Sequence, residues 1–364
     1  MLKIHFRARF TNPRSIRRVR GYLLDSHVVL GIAFMSLLFG SWEREASAQP
    51  PMSEAVAGVQ SAHFSDMGDF QATMWRRSNY ASLGAGRYGN TKGYDIYLLA
   101  TGDSEEYDPK TGTAFDAETY GGTLGIERMY GPLLISFAGA FNYHETNFEA
   151  SGSEFISELA HAGVYAMWDQ GPWAIDFGFA YTHTEDETQR AWIDLETSTP
   201  YTAIGISQGD YYSSSLYGRF DFAFGTLTLT PTAGARYAKG DMTPIIESGA
   251  AGFNASYDAS ERESLVSSLG IIVATGYAPV LKLQGYALWD HEMEDRSTQL
   301  TGDLISGGAP FTTTSYFESA DVGRFGIFAS RKYGMRLQLF GSYEAQLRDE
   351  RESHNAGLGI RYRF

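Results

Sequence analysis

From Gly93 to the C-terminus, apolar and polar side chains alternate with a period of two, and this alternation constrains the fold more than any other feature. Successive side chains of a β-strand point to opposite faces, so the pattern predicts strands with one apolar and one polar face. It is strongest in the last ten residues, whose apolar face consists of Ala356, Leu358, Ile360, Tyr362 and Phe364. Similar rows begin at Leu133, Trp173, Leu227 and Met335.

The alternation recurs in twelve segments, which we predict to be strands. Most of them have about ten residues or more, whereas strands of soluble sheets typically have 5–6. A tilted strand of about 9–11 residues crosses a bilayer. The predicted strands are at residues 93–103, 117–128, 132–145, 154–168, 172–185, 210–224, 226–239, 261–275, 279–291, 314–330, 334–347 and 353–364.

Short and long connections alternate between these segments. The predicted short turns are at residues 129–131, 169–171, 225, 276–278 and 331–333. The predicted long polar loops are at residues 104–116, 146–153, 186–209, 240–260, 292–313 and 348–352. Bacterial membrane barrels have short periplasmic turns, longer outer loops and an even number of strands. The sequence therefore predicts an all-β fold, a transmembrane antiparallel barrel of the bacterial outer membrane, in preference to a soluble all-β domain.

The composition supports a barrel. The chain has 23 Tyr, 23 Phe, 6 Trp and 40 Gly, and membrane barrels place aromatic residues at both interfaces. The mean hydropathy of −0.26 is too polar for a helical membrane protein. The absence of cysteine excludes disulfides, thiolate metal sites and a cysteine nucleophile, and we expect no cofactor. The formal net charge of −14 argues against nucleic acid as a partner.

The first 48 residues have the pattern of a signal peptide. A basic segment without acids (residues 1–20) precedes an apolar run of 13 residues (residues 28–40). Ala46 and Ala48 then form an A-x-A site, which predicts cleavage before Gln49. The alternative is an uncleaved anchor, but a spanning helix needs about 20 apolar residues.

Residues 53–77 are predicted to form an amphipathic helix within a short linker segment, residues 49–92, before the barrel at residues 93–364. Apolar residues and one histidine recur at steps of three and four, which is the spacing of one helix face. This stripe consists of Val56, Val59, His63, Met67, Phe70 and Met74. We expect the helix to plug the pore; the alternative is an amphipathic helix in the periplasm.

The inward wall of such a barrel is predicted to be polar, with charges of both signs. The predicted lumen-facing charges are Asp176, Arg219, Asp221, Arg236, Lys282, Arg324, Arg336, Glu344 and Arg361. Charge pairing across the lumen is the favoured interpretation. The alternative is a constriction that selects a transported substrate.

Three groups of histidines and acids lie near predicted outer strand ends and raise the possibility of an enzyme at the rim. They are His144 with Glu145, His183 with Glu185 and Asp186, and Asp290 with His291. An acid–histidine pair can act in proton transfer. However, no serine or pair of aspartates stands at a matching position, and histidine pairs with metal-ligand spacing are missing. We therefore predict solvated rim residues, no catalytic residues, no metal site and no enzyme.

Several stretches together resemble the C-terminal translocator (β-domain) of classical autotransporters, over about residues 53–364. They are GYDIYL (93–98), TYGGTLGIE (119–127), AGVYAMW (162–168), LTPTAGARY (229–237), IESGA (246–250) and ESLVSSLG (263–270). The resemblance implies a twelve-stranded outer-membrane barrel with a helix threaded through its pore. It also implies that Ile360, Tyr362 and Phe364 form the signal that the barrel-assembly machinery reads.

The expected partners are outer-membrane lipid and lipopolysaccharide, the barrel-assembly machinery and periplasmic chaperones, and we expect a monomer. An autotransporter carries a long passenger between signal peptide and barrel, whereas here only residues 49–52 precede the predicted helix. We therefore expect an integral pore, translocator or surface barrel without a large passenger. The alternatives are a protease or lipid hydrolase at the outer rim, and an anchor for a separately encoded surface protein.

Overall fold

The computed structural model describes residues 63–75, 93–107, 114–148, 152–194, 199–250, 254–277, 281–294, 297–306, 310–316 and 319–364. The predicted signal peptide, with Ala46, Ala48 and Gln49, lies outside these residues, as do Val56 and Val59 of the predicted helix. Residues 63–75 form an α-helix, α1. No helix in these ranges is long and apolar enough to cross a membrane.

Nearly all of the remaining described chain is one sheet of seventeen strands. In chain order they are β1 (Asp95–Tyr107), β2 (Phe115–Tyr130), β3 (Leu133–Phe148), β4 (Ser153–Gln170), β5 (Trp173–Asp194), β6 (Thr199–Phe220), β7 (Phe222–Phe224), β8 (Leu227–Met242), β9 (Ile245–Ser248), β10 (Ala255–Tyr257), β11 (Ser260–Tyr277), β12 (Leu281–Glu292), β13 (Ser297–Leu304), β14 (Phe311–Tyr316), β15 (Asp321–Tyr333), β16 (Leu337–Leu347) and β17 (Arg351–Arg363).

Twelve of these strands form the wall of a closed antiparallel barrel, as predicted. In order around the wall they are β1 to β6, β8, β11, β12, β15, β16 and β17. The first strand closes on the last, in a register that runs from Asp95 opposite Arg363 to Tyr107 opposite Arg351. Closure leaves no free strand edge, so the backbone groups of the wall are paired within it. The short β7 continues the line of β6 and pairs with β8.

The barrel is apolar outside and polar inside, the reverse of a soluble protein. The outward side chains of Leu358 and Ile327 are 71% and 64% exposed, whereas inward Glu344 and Asp176 are 0% and 1% exposed. An apolar surface of this extent around a whole barrel matches a lipid environment. The alternation in the sequence thus has its physical cause in lipid on one face and a polar lumen on the other.

Tight turns join the strands at one end of the barrel, the periplasmic end by the rule that the short turns face the periplasm. Gly131, Gly171 and Gly225 each begin a two-residue turn with a positive φ between 61° and 68°. Proline follows the first two of these glycines, and its fixed negative φ is compatible with a type II′ turn.

Four of the five predicted short turns begin too early, because β2, β4, β11 and β15 extend into them, and one of the four is displaced as a whole. The turn predicted at residues 331–333 lies instead at residues 334–336, because β15 continues to Tyr333. Gly334 begins this turn with a φ of 66°. Lys332 points inward and Tyr333 points outward, so the alternation of inward and outward side chains extends beyond the predicted end of the strand at residue 330. The turn predicted at residues 276–278 also begins too early, since β11 runs to Tyr277.

Several predicted long loops contain β-structure. Within the segment predicted as a loop at residues 186–209, residues 186–194 continue β5 and residues 199–209 continue β6, and the two strands stay paired up to Asp194 opposite Thr199. The predicted strand at residues 314–330 is divided between β14 and β15. The reason is that polar, threonine-rich sequence keeps the period of two beyond the membrane, where strand pairing does not need an apolar face.

The predicted loops at residues 240–260 and 292–313 contribute β9, β10, β13 and β14 at the outer end. An apolar cluster packs inside the barrel at this end. It consists of Tyr107, Phe148, Phe155, Met242, Ile245, Ala255, Tyr257 and Leu300. Arg190 of β5 donates to both oxygens of Glu247 in β9, at 2.8 and 2.6 Å, and so ties these short strands to the wall.

Candidate functional site

The lumen, with α1 inside it, is the candidate functional site. His63, Met67, Phe70 and Met74 of the predicted stripe are all buried. Asp66 is buried as well, together with three further polar or aromatic side chains of α1. A helix with one apolar stripe would bury one face, so burial on several faces means that the wall surrounds α1.

The first turn of α1 is held by a buried polar cluster. The Nδ1 of His63 lies 2.6 Å from the Tyr211 hydroxyl of β6. Its Nε2 lies 3.0 Å from the Asp186 carboxylate of β5, which also accepts a hydrogen bond of 2.6 Å from the Ser157 hydroxyl of β4. These contacts connect the helix with three neighbouring strands.

The cluster contains serine, histidine and aspartate but does not have the geometry of a hydrolase triad. In a triad, the aspartate and the serine bind opposite nitrogens of the imidazole. Here Ser157 and Asp186 both approach Nε2 of His63, and Tyr211 occupies Nδ1. The serine hydroxyl donates its proton to the carboxylate, so the imidazole is not placed to activate it. The arrangement is suited to holding α1 in position.

A second polar contact lies one helical turn further along. The Asp66 carboxylate lies 3.2 Å from Nδ1 of His144 in β3 and accepts a hydrogen bond of 3.2 Å from the Thr119 hydroxyl of β2. The ring of Phe70 then stacks on His161 of β4, with centroids 5.0 Å apart. Wall histidines therefore contact α1 on this side of the barrel.

Further contacts of α1 reach other parts of the wall, at β16 and β8. Gln346 of β16 donates a hydrogen bond of 3.0 Å to Asp69. The Arg236 guanidinium of β8 lies so close to Gly68 that a Cβ there would come within 2.7 Å of Nη1. The strand that carries Asp186 is the fifth of the wall and β16 is the eleventh. In a barrel of twelve strands these lie on opposite sides, so the bonds of α1 span the lumen.

The last turn of α1 packs in an apolar part of the lumen. The Trp75 ring lies 5.3 Å from that of Tyr217 and 6.3 Å from that of Tyr286, measured between centroids. Met74 packs on Gly163 of the wall, where a Cβ would meet its Cε at 2.7 Å. The missing side chain at Gly163 thus makes room for the helix.

Of the predicted lumen charges, several are buried and paired. Arg324 contacts Glu344 at 2.9 Å and Asp290 at 3.2 Å. Arg219 lies 3.7 Å from Asp176. These pairs join neighbouring strands within the inner wall.

The other predicted charges differ in their surroundings. Arg361 is buried and paired with Asp95 of the first strand. Asp221 accepts a hydrogen bond of 2.6 Å from a threonine of β8, and Lys282 is half-buried. Arg336 is exposed in the turn between β15 and β16 rather than in a strand.

The predicted acid–histidine groups are not brought together as pairs of sequence neighbours. Asp186 points into the lumen, whereas His183 points outward and contacts Asp210 at 3.0 Å. His291 likewise points outward, 2.9 Å from Asp321. In the described ranges, no three histidine, aspartate or glutamate side chains are grouped so as to hold a metal ion. Adjacent residues in a strand point to opposite faces, so the period of two in the sequence already predicted that such neighbours would be separated.

Fold and lumen together define a class, the outer-membrane β-barrels with an internal helix. The autotransporter beta-domain family model matches residues 97–344, and the chain belongs to this family. The protein is accordingly a barrel of the bacterial outer membrane. No curated protein sequence matches the chain.

Two solved structures are similar in fold. The translocator domain of the autotransporter NalP from Neisseria meningitidis has a TM-score of 0.64 at 17% identity, and the match covers 82% of this chain and 98% of that one. The beta domain of the Bordetella autotransporter BrkA has a TM-score of 0.53 at 16% identity, with 75% of this chain and 100% of that one covered. At these identities the likeness concerns the fold.

Proposed function

We propose that the protein is a pore of translocator type whose lumen is closed by its own helix, residues 63–75. The observation that carries the proposal is that hydrogen bonds of α1 reach opposite sides of the wall, at Asp186 and at Gln346. A helix with side chains is about 10–12 Å across. An element of that width that contacts both sides of the lumen leaves little room for solute to pass.

The two halves of α1 contribute differently to the proposed plug. The half that begins at His63 is bound by buried polar contacts, which fix its orientation and height in the lumen. The half that ends at Trp75 packs on aromatic side chains, and burial of such side chains gives most of the affinity. The apolar cluster around Phe155 and Tyr257 adds a second obstruction at the outer end.

The protein is exported by its leader segment and assembled into the membrane through its last strand. Residues 1–48 direct export and are removed before Gln49, and the terminal aromatic Phe364 takes part in recognition by the barrel-assembly machinery. The support for this is the basic, apolar and A-x-A order of the leader, and a last strand with an outward apolar face that completes the wall.

Conductance in planar bilayers tests the plug. The full-length barrel and a variant without residues 49–77 are refolded, and folding of each is verified by heat-modifiable migration on a gel. We expect the truncated barrel to conduct several-fold more than the full-length protein. His183→Ala, which changes an outward side chain, serves as the control and is expected to conduct like wild type. A full-length barrel that conducts as much as the truncated form would refute the proposal.

A further inference from the structure

Two periplasmic turns repeat the same short motif, Arg-x-Tyr-Gly. Residues 128–131 form it at the end of β2, and residues 331–334 form it at the end of β15. In both, the glycine has a positive φ, 61° and 66°. The arginine and tyrosine are two residues apart, so both lie on the outward face of their strand.

Within each motif, the guanidinium lies against the ring of its tyrosine. The Cζ of Arg128 is 4.8 Å from the centroid of Tyr130, and that of Arg331 is 5.1 Å from the centroid of Tyr333. These distances allow a cation–π contact. Tyr130 and Tyr333 remain about half exposed.

The first motif has a third member, Tyr94, which directly precedes β1. Arg128 donates a hydrogen bond of 2.6 Å from Nη1 to the Tyr94 hydroxyl, and its Cζ lies 4.6 Å from the Tyr94 centroid. The guanidinium is therefore held between two rings. Within the described chain, neither Arg128 nor Arg331 forms a salt bridge with a carboxylate. Both cations thus keep donors available to a group outside the protein.

Outward charges differ between the two ends of the barrel. Near the outer end, outward groups include the pairs His183–Asp210 and His291–Asp321 and the cation Lys239, which is bonded to Glu261. Near the periplasmic turns, the strand partners of the two arginines are aliphatic, with Ile135 opposite Arg128 and with Leu281 and Leu339 opposite Arg331. Exposed aromatic side chains at this end of the barrel include Trp168, Trp173, Phe222, Phe224, Tyr362 and Phe364. The arginines therefore lie where an apolar, aromatic wall meets water, which is the level of lipid headgroups.

We infer that the two Arg-x-Tyr-Gly turns are binding sites for the phosphate group of phospholipids in the periplasmic leaflet. The guanidinium is a planar fork that donates two parallel hydrogen bonds to phosphate oxygens. The tyrosine rings hold it in place, which lowers the conformational entropy lost on binding. Acyl chains below the headgroup then lie along the apolar wall at Ile126 and Ile327, which are both exposed.

Native mass spectrometry of the folded full-length barrel tests the inference. Wild type, Arg128→Gln, Arg331→Gln and the double variant are titrated with phosphatidylglycerol, and with a galactosyl diacylglycerol that has the same chains and no phosphate. We expect wild type to retain two molecules of phosphatidylglycerol, each single variant one and the double variant none. Loss of a charge-assisted, bidentate contact is expected to weaken binding at that site roughly tenfold.

Lys239→Gln is the matched control, because it also removes one outward cation but at the outer end. It is expected to retain phosphatidylglycerol like wild type, and heat-modifiable migration verifies that every variant is folded. Equal retention by wild type and the double variant overturns the inference. So does equal retention of the galactolipid by wild type, or a loss in Lys239→Gln as large as that in Arg128→Gln.

Discussion

Replacing His63 by alanine tests whether buried polar contacts hold α1 in the lumen. The imidazole is fully buried, with Tyr211 at 2.6 Å from one nitrogen and Asp186 at 3.0 Å from the other. The substitution removes both contacts and leaves the Asp186 carboxylate buried. Its remaining donors are the hydroxyls of Ser157, at 2.6 Å, and Thr184, at 3.1 Å.

The size of the effect follows from what remains around Asp186. A hydrogen bond to a charged group contributes about 1.5–3 kcal/mol, and a buried group left without its partner adds a desolvation cost. Because two hydroxyl donors stay on Asp186, we expect α1 to be held less tightly by about 2–3 kcal/mol. At about 1.4 kcal/mol per factor of ten, the ratio of undocked to docked helix rises roughly 30- to 150-fold.

Single-channel recording in planar bilayers measures this ratio as the fraction of time in which the pore conducts. The control is His183→Ala, which removes a histidine–aspartate contact of the same 3.0 Å length on the outward, exposed face. Exposed pairs contribute little, and His183 lies outside the lumen, so its conducting fraction should equal that of wild type. If folded His63→Ala stays as closed as wild type, or if His183→Ala opens as often, the polar contacts do not hold the plug.

Three further predictions concern the wall and its assembly. Gly163→Val places a branched side chain where a Cβ alone would meet Met74 at 2.7 Å. Bilayer conductance should therefore rise in a barrel that still folds, and unchanged conductance would contradict a helix packed on Gly163. Gly326→Val inserts methyl groups into the space of the Tyr286 ring, and such overpacking destabilises the fold by about 1–3 kcal/mol. The gel band of the folded barrel should therefore be lost at a lower temperature than in wild type. Phe364→Ser should lower the yield of folded barrel in outer membranes while the conductance of refolded protein stays the same; an unchanged yield would remove Phe364 from the assembly signal.

The barrel was predictable because its strands and short turns follow from local sequence. Lipid outside and polar groups inside impose a period of two on every wall strand, and positive-φ glycines such as Gly131 and Gly171 mark the short turns. The outer strand ends were less predictable. Residues 186–190 of β5 are polar on both faces, so this segment carries no apolar contrast by which to distinguish strand from loop.

The contacts of α1 were only partly predictable. The stripe through Met67, Phe70 and Met74 follows from helical spacing, and these side chains are buried. The wall partners do not follow from spacing. His63 contacts Tyr211, which lies 148 residues away in sequence, and Asp69 contacts Gln346, which lies 277 away. Such pairs depend on how far α1 enters the lumen and on its rotation, neither of which local sequence determines.

His63 illustrates why a polar residue occupies the apolar stripe of the plug. The wall around it presents Asp186 and Ser157, which would be hydrated in an empty pore and must be hydrogen-bonded when α1 excludes water. An apolar side chain at this position would leave the buried carboxylate with two neutral hydroxyl donors only, whereas imidazole offers a nitrogen to Asp186 and another to Tyr211. Exchange of such bonds with water has a small net free energy. Affinity for the lumen therefore comes mainly from the apolar half near Trp75, and the polar half selects a single docked position.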